Sequence, residues 1–429
     1  MTRPLYTMLF WLLLPLIFLR LLWRARRQPE YLRHWGERLG RYALRPSAPV
    51  LWIHAVSVGE TRAAASLVRA LKARFPAYQI LMTHMTPTGR ATAPELLGPG
   101  SVRCYLPYDL PKAVARFLAH YRPVLGILLE TELWPNLVHA CAQDAIPLVL
   151  ANARLSERSA RGYARFQPLI QQALQELPLI AAQTSEDAQR LQALGAERVA
   201  VMGNLKFDMP DSPQLEQVSQ QLRQLLGSRG RVWLAASTRE GEEAMVLDLL
   251  ALTPLQDTLL ILVPRHPQRF DEVASLLQRR HINFVRRSEN RSVQDNTVRV
   301  LLGDSMGELQ SWYRLADVAL MGGSLLPFGG QNLIEATAAG CPVLVGPHTY
   351  NFSEAAQQAI ACGAARRVTT PQELARQLTE LLEDAPARWA MREAGLAFTQ
   401  RHQGATEHLL DLLLPYVQSP QNISTQRQA

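Results

Sequence analysis

The sequence lacks the short motifs that would assign it to several common enzyme classes. It has no G-x-G-x-x-G or Walker A loop, which disfavours dinucleotide dehydrogenases and P-loop enzymes. It has no D-x-D pair or His–Cys cluster that would indicate a bound metal. We therefore expect neither a metal site nor a resident cofactor.

Cysteine and charge are both sparse. Charged residues make up 19% of the chain and hydrophobic residues 48%, which is typical of a globular protein. Because 429 residues exceed what one core holds, we expect two domains of about 150–200 residues. The four cysteines form no C-x-x-C pair and lie in or near apolar segments, which predicts buried, reduced thiols in a reducing compartment: Cys104, Cys141, Cys341 and Cys362.

One long apolar run lies at the N-terminus. Leu5–Trp23 is almost wholly apolar, and a helix of this length extends about 28 Å, close to the thickness of a bilayer core. The basic run Arg24-Ala-Arg-Arg27 follows in place of a small-residue cleavage site, which predicts an uncleaved anchor with the main body on the cytoplasmic side. Pro15 and Arg20 leave open whether the helix spans the membrane or lies in its interface.

The net charge of +8 is concentrated near this anchor. Only Glu30 and Glu37 oppose the arginines of this region, which either bind anionic lipid headgroups or hold phosphates of a lipid substrate. Aromatic and basic residues do not interleave, so nucleic acid is not an expected partner. The arginines concerned are Arg20, Arg24, Arg26, Arg27, Arg33, Arg38, Arg41 and Arg45.

The rest of the chain alternates apolar runs with helical segments, the pattern of doubly wound parallel sheets. The predicted strands are 50–55, 80–83, 102–106, 124–129, 146–151, 179–183 and 199–202, then 231–236, 259–263, 298–302, 318–321 and 342–345. The predicted segments are a membrane anchor (1–27), a basic juxtamembrane segment (28–46), an N-terminal Rossmann-like domain (47–210), a linker (211–230), a C-terminal Rossmann-like domain (231–415) and a polar, disordered tail (416–429). We expect a helix and linker over 31–45, and we expect the last helices of the C-terminal domain (371–414) to pack back across the first domain.

The stretch from Val318 to Pro347 predicts a strand, a glycine loop, a short helix and a second strand. Asn332 is the expected N-cap of a helix over Leu333–Ala339, and Gly340 is the expected C′ glycine. The free amides at the helix start favour a phosphate, and the carboxylate of Glu335 suits the paired hydroxyls of a ribose.

Ligands of open parallel sheets bind beyond the carboxyl ends of the strands, so polar residues that follow a strand are candidates for the site. Glu60 lies at a helix start, where we expect an exposed, ionised carboxylate suited to a general base. Glu130 and Glu132 alternate along a strand end, so only one is expected to reach the site, and a glycosidase carboxylate pair stays a weaker alternative. Lys206 is the candidate cation for a leaving phosphate.

The second domain offers basic candidates after its second strand. Arg265, His266 and Arg269 are suited to a nucleotide or a phosphate, although a surface salt bridge is an equally good interpretation of Arg269.

Together these motifs resemble the Kdo (3-deoxy-D-manno-octulosonic acid) transferases of lipopolysaccharide assembly, and the resemblance runs through nearly the whole chain. Besides the N-terminal anchor, the motifs that carry it are His54-Ala-Val-Ser-Val-Gly-Glu60, Glu130-Thr-Glu-Leu-Trp-Pro135, Gly203-Asn-Leu-Lys-Phe-Asp208, Val263-Pro-Arg-His-Pro267, Met306-Gly-Glu308 and Gly329-Gly-Gln-Asn-Leu-Ile-Glu335.

The resemblance implies a GT-B fold, an α/β architecture in which two doubly wound Rossmann-like domains face a cleft. It implies CMP-Kdo as donor, the lipid A precursor lipid IVA as acceptor, the inner membrane as location and an inverting transfer without a metal. It implies Glu60 as the proton acceptor, with Glu130 and Lys206 aiding the transition state. The residues implied in CMP binding are Arg265, His266, Met306, Gly307, Glu308, Asn332, Leu333, Ile334 and Glu335.

Two alternatives stay open at the level of sequence. One is another membrane-associated GT-B glycosyltransferase with a different nucleotide sugar. The other is a catalytically idle membrane scaffold, which leaves Glu60, Glu130 and Lys206 without a role. The number of Kdo residues transferred and the oligomeric state do not follow from these motifs.

Overall fold

The chain forms two compact units in the computed structural model, which describes residues 1–26, 28–98, 102–208, 213–252, 255 and 257–417. The first unit comprises Met1–Pro210 and Gln403–Ala429, and the second comprises Asp211–His402. Each unit contains its own seven-stranded sheet.

The sheet of the first unit is parallel throughout. Its strands are β1 (Val50–His54), β2 (Gln79–His84), β3 (Val102–Tyr105), β4 (Pro123–Leu129), β5 (Leu148–Ala153), β6 (Ile180–Ala182) and β7 (Val199–Val201). They follow the order β3-β2-β1-β4-β5-β6-β7, with β1 paired in parallel to both β2 and β4. The order therefore reverses beside β1, at the switch point where ligands of doubly wound sheets bind.

Helices cover both faces of this sheet because residues along β1 alternate between the two. Trp52 enters one apolar core, where its ring contacts Phe117 at 4.9 Å, and Leu51 enters the opposite core with Leu67 and Leu409. The helices of the first unit are α1 (Arg3–Ala25), α2 (Trp35–Arg38), α3 (Val58–Ala63), α4 (Ala65–Arg74), α5 (Pro87–Leu97), α6 (Pro111–Tyr121), α7 (Pro135–Gln143), α8 (Glu157–Ala164), α9 (Gln167–Gln175), α10 (Ser185–Ala193) and, from the end of the chain, α19 (Ala405–Leu413).

The second unit repeats this plan. Its strands are β8 (Arg231–Thr238), β9 (Thr258–Pro264), β10 (Phe284–Arg286), β11 (Val300–Leu302), β12 (Val318–Met321), β13 (Val343–Val345) and β14 (Ala365–Arg367). They run parallel in the order β10-β11-β9-β8-β12-β13-β14, so the switch point lies beside β8. Its helices are α11 (Pro213–Leu226), α12 (Glu242–Leu249), α13 (Phe270–Arg279), α14 (Leu309–Leu315), α15 (Ile334–Ala338), α16 (Ser353–Ala361), α17 (Pro371–Glu383) and α18 (Ala385–His402).

The twelve predicted strands are present, with ends that differ by up to two residues. The sequence prediction missed β10 and β14, three-residue edge strands that carry arginine and have no long apolar run. The segment 31–45, predicted to hold a juxtamembrane helix and a linker, contains the end of the 3-10 turn Pro29–Leu32 and the short helix α2. His34, with a φ of +57°, separates the two.

The predicted domain boundaries differ from the two units at both ends of the second domain. Residues 213–226 of the predicted linker form α11, whose Leu215 carbonyl accepts a hydrogen bond from Ser311 of α14. Of the helices predicted to pack back across the first domain, α19 belongs to the first unit, whereas α17 and α18 belong to the second. Leu409 of α19 lies in the core of the first unit, and Asp208 accepts hydrogen bonds from the backbone N–H groups of Gly404 and Thr406. The predicted tail lies outside the described residues from residue 418 onward.

Candidate active site

Glu60 lies in the first turn of α3, shortly after β1 ends. Ser57 caps this helix, and its hydroxyl also donates to Oε1 of Glu60 at 3.0 Å. The other carboxylate oxygen, Oε2, accepts the backbone N–H of Val56 at 2.6 Å. The Ser57 hydroxyl in turn accepts the backbone N–H of Glu60 at 3.5 Å, and these hydrogen bonds together hold the carboxylate at the carboxyl edge of the sheet.

The environment of Glu60 raises its pKa from 4.5 to about 7. Burial is the largest cause because it disfavours the charged form, and repulsion from Glu130 adds to it. The hydrogen bonds from Val56 and Ser57 act in the opposite direction. The expectation of an exposed carboxylate that stays ionised beside the helix end was therefore wrong: α3 is only six residues long, and burial and repulsion outweigh its field.

Glu130 immediately follows β4 and has a φ of +62°, a left-handed conformation that is uncommon outside glycine. Its Oε1 lies 2.6 Å from Nζ of Lys206. In this ion pair the side chain of Glu130 is 24% exposed and that of Lys206 is 17% exposed. Lys206 lies in the 3-10 turn Leu205–Phe207, where the side chain of Asn204 accepts its backbone N–H at 3.0 Å. A second amide, that of Leu205, donates to the side chain of Asn152 at 3.1 Å. The cation expected to face a phosphate is thus paired with the neighbouring carboxylate.

Glu132 also lies near this cluster. Its pKa is raised by burial and by the charge of Glu130, and it contributes in turn to the raised pKa of Glu60. The indole N–H of Trp134 donates to its carboxylate at 2.9 Å. The strand alternation expected for these two glutamates does not apply, because β4 ends at Leu129 and Glu130 adopts a left-handed turn.

In the second unit, a buried carboxylate organises the carboxyl edge of β8 and β12. Glu242 is 1% exposed and accepts the backbone N–H groups of Arg239 at 2.9 Å, Gly323 at 2.6 Å and Leu325 at 3.0 Å. Gly322 in the same loop must be glycine, because a Cβ atom would lie 2.3 Å from the carbonyl oxygen of Ser237. The sequence analysis assigns Glu242 no role. The signal available was its position after a strand, four residues beyond Thr238.

Cationic side chains gather at the same edge. His266 has a lowered pKa, first because it is partly buried and then because Arg239, Arg265 and Arg269 surround it. The guanidinium of Arg269 is engaged within the protein, since it pairs with the buried Glu243 at 2.6 Å. The salt-bridge interpretation of Arg269 is therefore confirmed.

The segment Met306-Gly-Glu308 follows β11. Met306 is 57% exposed, and Gly307 has a φ of +86°, which glycine adopts without strain. The carboxylate of Glu308 is engaged within the protein: it accepts two hydrogen bonds from Arg287, at 2.9 and 3.1 Å, and one from Ser305. Glu308 therefore shapes this turn directly, whereas Met306 presents its side chain to solvent.

The segment Asn332–Glu335 opens α15, which is shorter than the predicted helix over 333–339. The side chain of Asn332 accepts the backbone N–H of Ile334 at 3.2 Å and donates to Glu335 at 3.1 Å. Leu333 and Ile334 are buried, at 1% and 0% exposed, so only their backbone groups are available to a ligand. Gly340 follows the helix with a φ of +68°, as predicted for a C′ glycine.

Arg265 and Glu335 both act on the buried hydroxyl of Tyr313. Its pKa is raised well above the usual value, mainly by burial; the charge of Glu335 raises it further, and that of Arg265 lowers it. Among the residues that the structure describes, no group of three or more His, Cys, Asp or Glu side chains is placed to hold a metal ion.

Comparison with known proteins agrees with this architecture. Residues 282–397 match the family model described as glycosyl transferases group 1, and residues 33–209 match the model described as 3-deoxy-D-manno-octulosonic-acid transferase (kdotransferase). Among solved structures, the UDP-GlcNAc 2-epimerase of Neisseria meningitidis aligns over 86% of this chain and 100% of its own, with a TM-score of 0.61 and 14% identity, which shows the fold alone. The two doubly wound units and these matches define a glycosyltransferase of the GT-B type.

Curated relatives identify the family. The chain is 43% identical to the 3-deoxy-D-manno-octulosonic acid transferase of Bordetella pertussis, over 96% of this chain and 99% of the relative. It is 39% identical to the enzyme of the same name from Haemophilus influenzae, over 97% and 99% of the two chains. The protein belongs to the Kdo transferase family.

Proposed function

We propose that the protein transfers Kdo from CMP-Kdo to the lipid A precursor lipid IVA, in lipopolysaccharide core biosynthesis at the cytoplasmic face of the inner membrane. Within a chain of this family, the observation that carries the proposal is the cluster at the edge of the first sheet. There a carboxylate with a pKa of about 7, Glu60, lies beside the Glu130–Lys206 ion pair.

Glu60 is the general base of the proposed reaction. Its carboxylate accepts the proton of an acceptor hydroxyl while the hydroxyl oxygen forms a bond to the anomeric carbon of Kdo. The bond from that carbon to the phosphate oxygen of CMP breaks, and CMP leaves with the electron pair. Attack opposite to the leaving group inverts the anomeric configuration. A base whose pKa lies near neutral pH combines a useful ionised fraction with a strong affinity for the proton.

Glu130 and Lys206 assist this step through charge. The ammonium group of Lys206 compensates the negative charge of Glu130 at 2.6 Å, which limits the repulsion that Glu60 experiences in its ionised form. The same ammonium group also stabilises negative charge that develops on the reacting oxygen atoms. The left-handed turn at Glu130 maintains this pairing.

CMP binds the second unit in the proposed complex. Glu335 binds the ribose hydroxyls, and Arg265 and His266 bind the phosphate, together with backbone groups of Gly307 and of residues 332–334. Met306 contacts the base, and Glu308 acts by holding its turn through Arg287. In this proposal Arg265 offsets the charge of the leaving phosphate and His266 donates a hydrogen bond to it, so the transfer uses no metal ion. Unchanged turnover in excess EDTA supports this point, and loss of turnover that Mg²⁺ restores refutes it.

The test is a product assay with the full chain. The protein is incubated with lipid IVA and a CMP-Kdo generating system, and the products are resolved by mass, which counts the Kdo residues added. Donor competition with CMP, ADP and UDP sugars separates this function from that of a related glycosyltransferase. No product with any donor, despite nucleotide binding, would identify an idle scaffold.

A matched pair of variants tests the catalytic assignment. Glu60→Gln keeps the size of the side chain and removes the base, so we expect turnover to fall about 10²–10⁴-fold with little change in CMP affinity. Glu197→Gln makes the same chemical change at an exposed position before β7, at the amino edge of the sheet, and should leave turnover unchanged. Normal turnover in Glu60→Gln would refute the base assignment.

A further inference from the structure

The N-terminal helix α1 is attached to the first unit along one stripe. Its inward positions recur at intervals of three and four residues, as expected for one face of a helix. The rings of Phe10 and Phe18 lie 6.4 and 6.0 Å from the ring of Tyr108, and Phe18 also contacts Trp35 at 5.1 Å. The helix residues of this apolar cluster are Phe10, Leu14, Ile17, Phe18, Leu21 and Ala25.

Polar contacts extend this attachment to the beginning of the helix. The hydroxyl of Thr7 donates to the side chain of Asn136 at 3.1 Å, and the hydroxyl of Tyr6 donates to Asp109. Asp109 is 1% exposed and accepts the backbone N–H groups of Asn136 and Leu137 at 3.0 and 2.8 Å, which caps α7. The contacts of α1 thus run from its second turn to its last residue, a distance of about 29 Å.

The opposite side of α1 is an exposed apolar surface. Its large side chains are 40–67% exposed, with Leu12 the most exposed at 67%. An apolar surface of this size on a described, folded unit marks an interaction site. Exposed arginines follow it, Arg20, Arg24 and Arg26 on or after the helix and Arg33 beyond it. The exposed apolar residues are Leu5, Met8, Leu9, Trp11, Leu12, Leu13, Leu16, Leu19, Leu22 and Trp23.

A helix attached in this way cannot also cross a bilayer. If α1 spanned the membrane in its docked position, Asp109, Asn136 and the start of α7 would enter the hydrocarbon with it. Burying such polar groups in lipid costs several kcal/mol for each group left unsatisfied. If α1 instead detached from the first unit in order to span the membrane, Asp109 would lose the hydrogen bond from the Tyr6 hydroxyl. Tyr108 would lose its packing contacts with the apolar residues of α1.

We propose that α1 lies in the plane of the membrane interface while docked on the first unit. The partner of its exposed face is the boundary between acyl chains and headgroups of an anionic phospholipid bilayer, whose charge complements the arginines that follow. This proposal rests on the membrane association proposed above, and it is independent of the identity of the donor sugar.

Docking of this kind orients the first unit on the bilayer. Asp109 follows β3, and Asn136 begins α7 six residues after Glu130, so α1 contacts the carboxyl side of the sheet where Glu130 lies. An acceptor that stays in the membrane would then present its sugar at the level of this edge. A spanning anchor on a loose linker would impose no such orientation.

The test locates the two sides of the protein relative to the membrane. In the full chain, Cys362→Ser removes the one partly exposed cysteine, since Cys104, Cys141 and Cys341 are buried. Thr2→Cys then places a single reactive thiol before α1, and Glu197→Cys places one on the exposed body of the first unit. Each protein is reconstituted into vesicles of phosphatidylethanolamine and phosphatidylglycerol, and it is labelled with a membrane-impermeant maleimide before and after detergent.

An in-plane helix leaves both thiols on the same side of the bilayer, so the fractions labelled before detergent should be equal. A spanning helix places them on opposite sides, so the two fractions should add up to one, and this result would overturn the proposal. The two results coincide when each fraction is one half, so the comparison uses preparations in which the fraction labelled at Glu197→Cys differs clearly from one half. Failure of the protein to float with the vesicles would overturn it as well. Because no sugar substrate is present, the outcome does not depend on the Kdo transfer assay, and the two proposals fail separately.

Discussion

The pH dependence of turnover tests the environment of Glu60 most directly. A carboxylate with a pKa of about 7 is about one tenth ionised at pH 6 and about nine tenths ionised at pH 8. If Glu60 is the base, kcat/KM should rise about tenfold across these two pH units. A base with the ordinary pKa of 4.5 would give a flat profile over the same interval.

Two variants should shift this profile in opposite directions. Glu130→Gln removes the charge that repels the ionised form of Glu60, so the rise in kcat/KM should move to lower pH while burial keeps it above pH 4.5. Lys206→Met removes the cation that compensates Glu130, so the rise should move to higher pH. The position of the rise is the readout, because both variants also lower the maximal rate.

The assay is a discontinuous measurement of Kdo transfer to lipid IVA from pH 5.5 to 8.5 in a constant-ionic-strength buffer, with Glu197→Gln as the matched control. A profile that is flat in the wild-type chain would contradict the reasoning. So would a shift to higher pH in Glu130→Gln, because it would mean that Glu130 stabilises the ionised form of Glu60.

Three further results are expected from the ion pairs and caps of the two units. Glu242→Gln should lower the free energy of unfolding in urea by about 2–4 kcal/mol, because it removes a buried carboxylate that accepts hydrogen bonds from several backbone amides. An unchanged midpoint of urea unfolding would contradict this expectation. Asp208→Asn should cost about 1 kcal/mol in the same measurement through the weakened cap of α19, and a cost above that of Glu242→Gln would be unexpected. Arg287→Met should weaken CMP binding, measured by calorimetry, about fivefold, because Glu308 loses its partner and the turn at Gly307 becomes less rigid. Equal CMP affinity in the variant and the wild-type chain would show that this turn does not bind CMP.

Much of the fold follows from the sequence because the strands are continuous apolar runs that end in glycine or polar residues. Buried parallel strands need no alternation, so Val318–Met321 and Pro123–Leu129 are visible as short apolar segments. Edge strands such as Ala365–Arg367 carry no such signal. The position of α19 also escapes prediction, because its attachment depends on Asp208, which lies almost two hundred residues earlier in the chain.

The positions of the site residues follow from the rule that ligands bind beyond the carboxyl ends of strands, whereas their charge states do not. Glu60 was located correctly after β1, but its raised pKa depends on burial and on Glu130, which is adjacent only after β1 and β4 pair. Glu308 looked like a ligand contact, and its occupied carboxylate became apparent only when Arg287 was placed beside it.

The residue clusters at the carboxyl edges of the two sheets differ in charge, and the proposed chemistry uses this difference. The first unit gathers three carboxylates and one ammonium group, which is why Glu60 has a proton affinity suited to a base. The second unit gathers cations, which lower the pKa of His266 and favour a phosphate. A base placed among those arginines would have a depressed pKa and little affinity for a proton, and a phosphate placed among the glutamates would be repelled. Separating the base and the leaving group onto different sheets allows each charge to be stabilised without weakening the other.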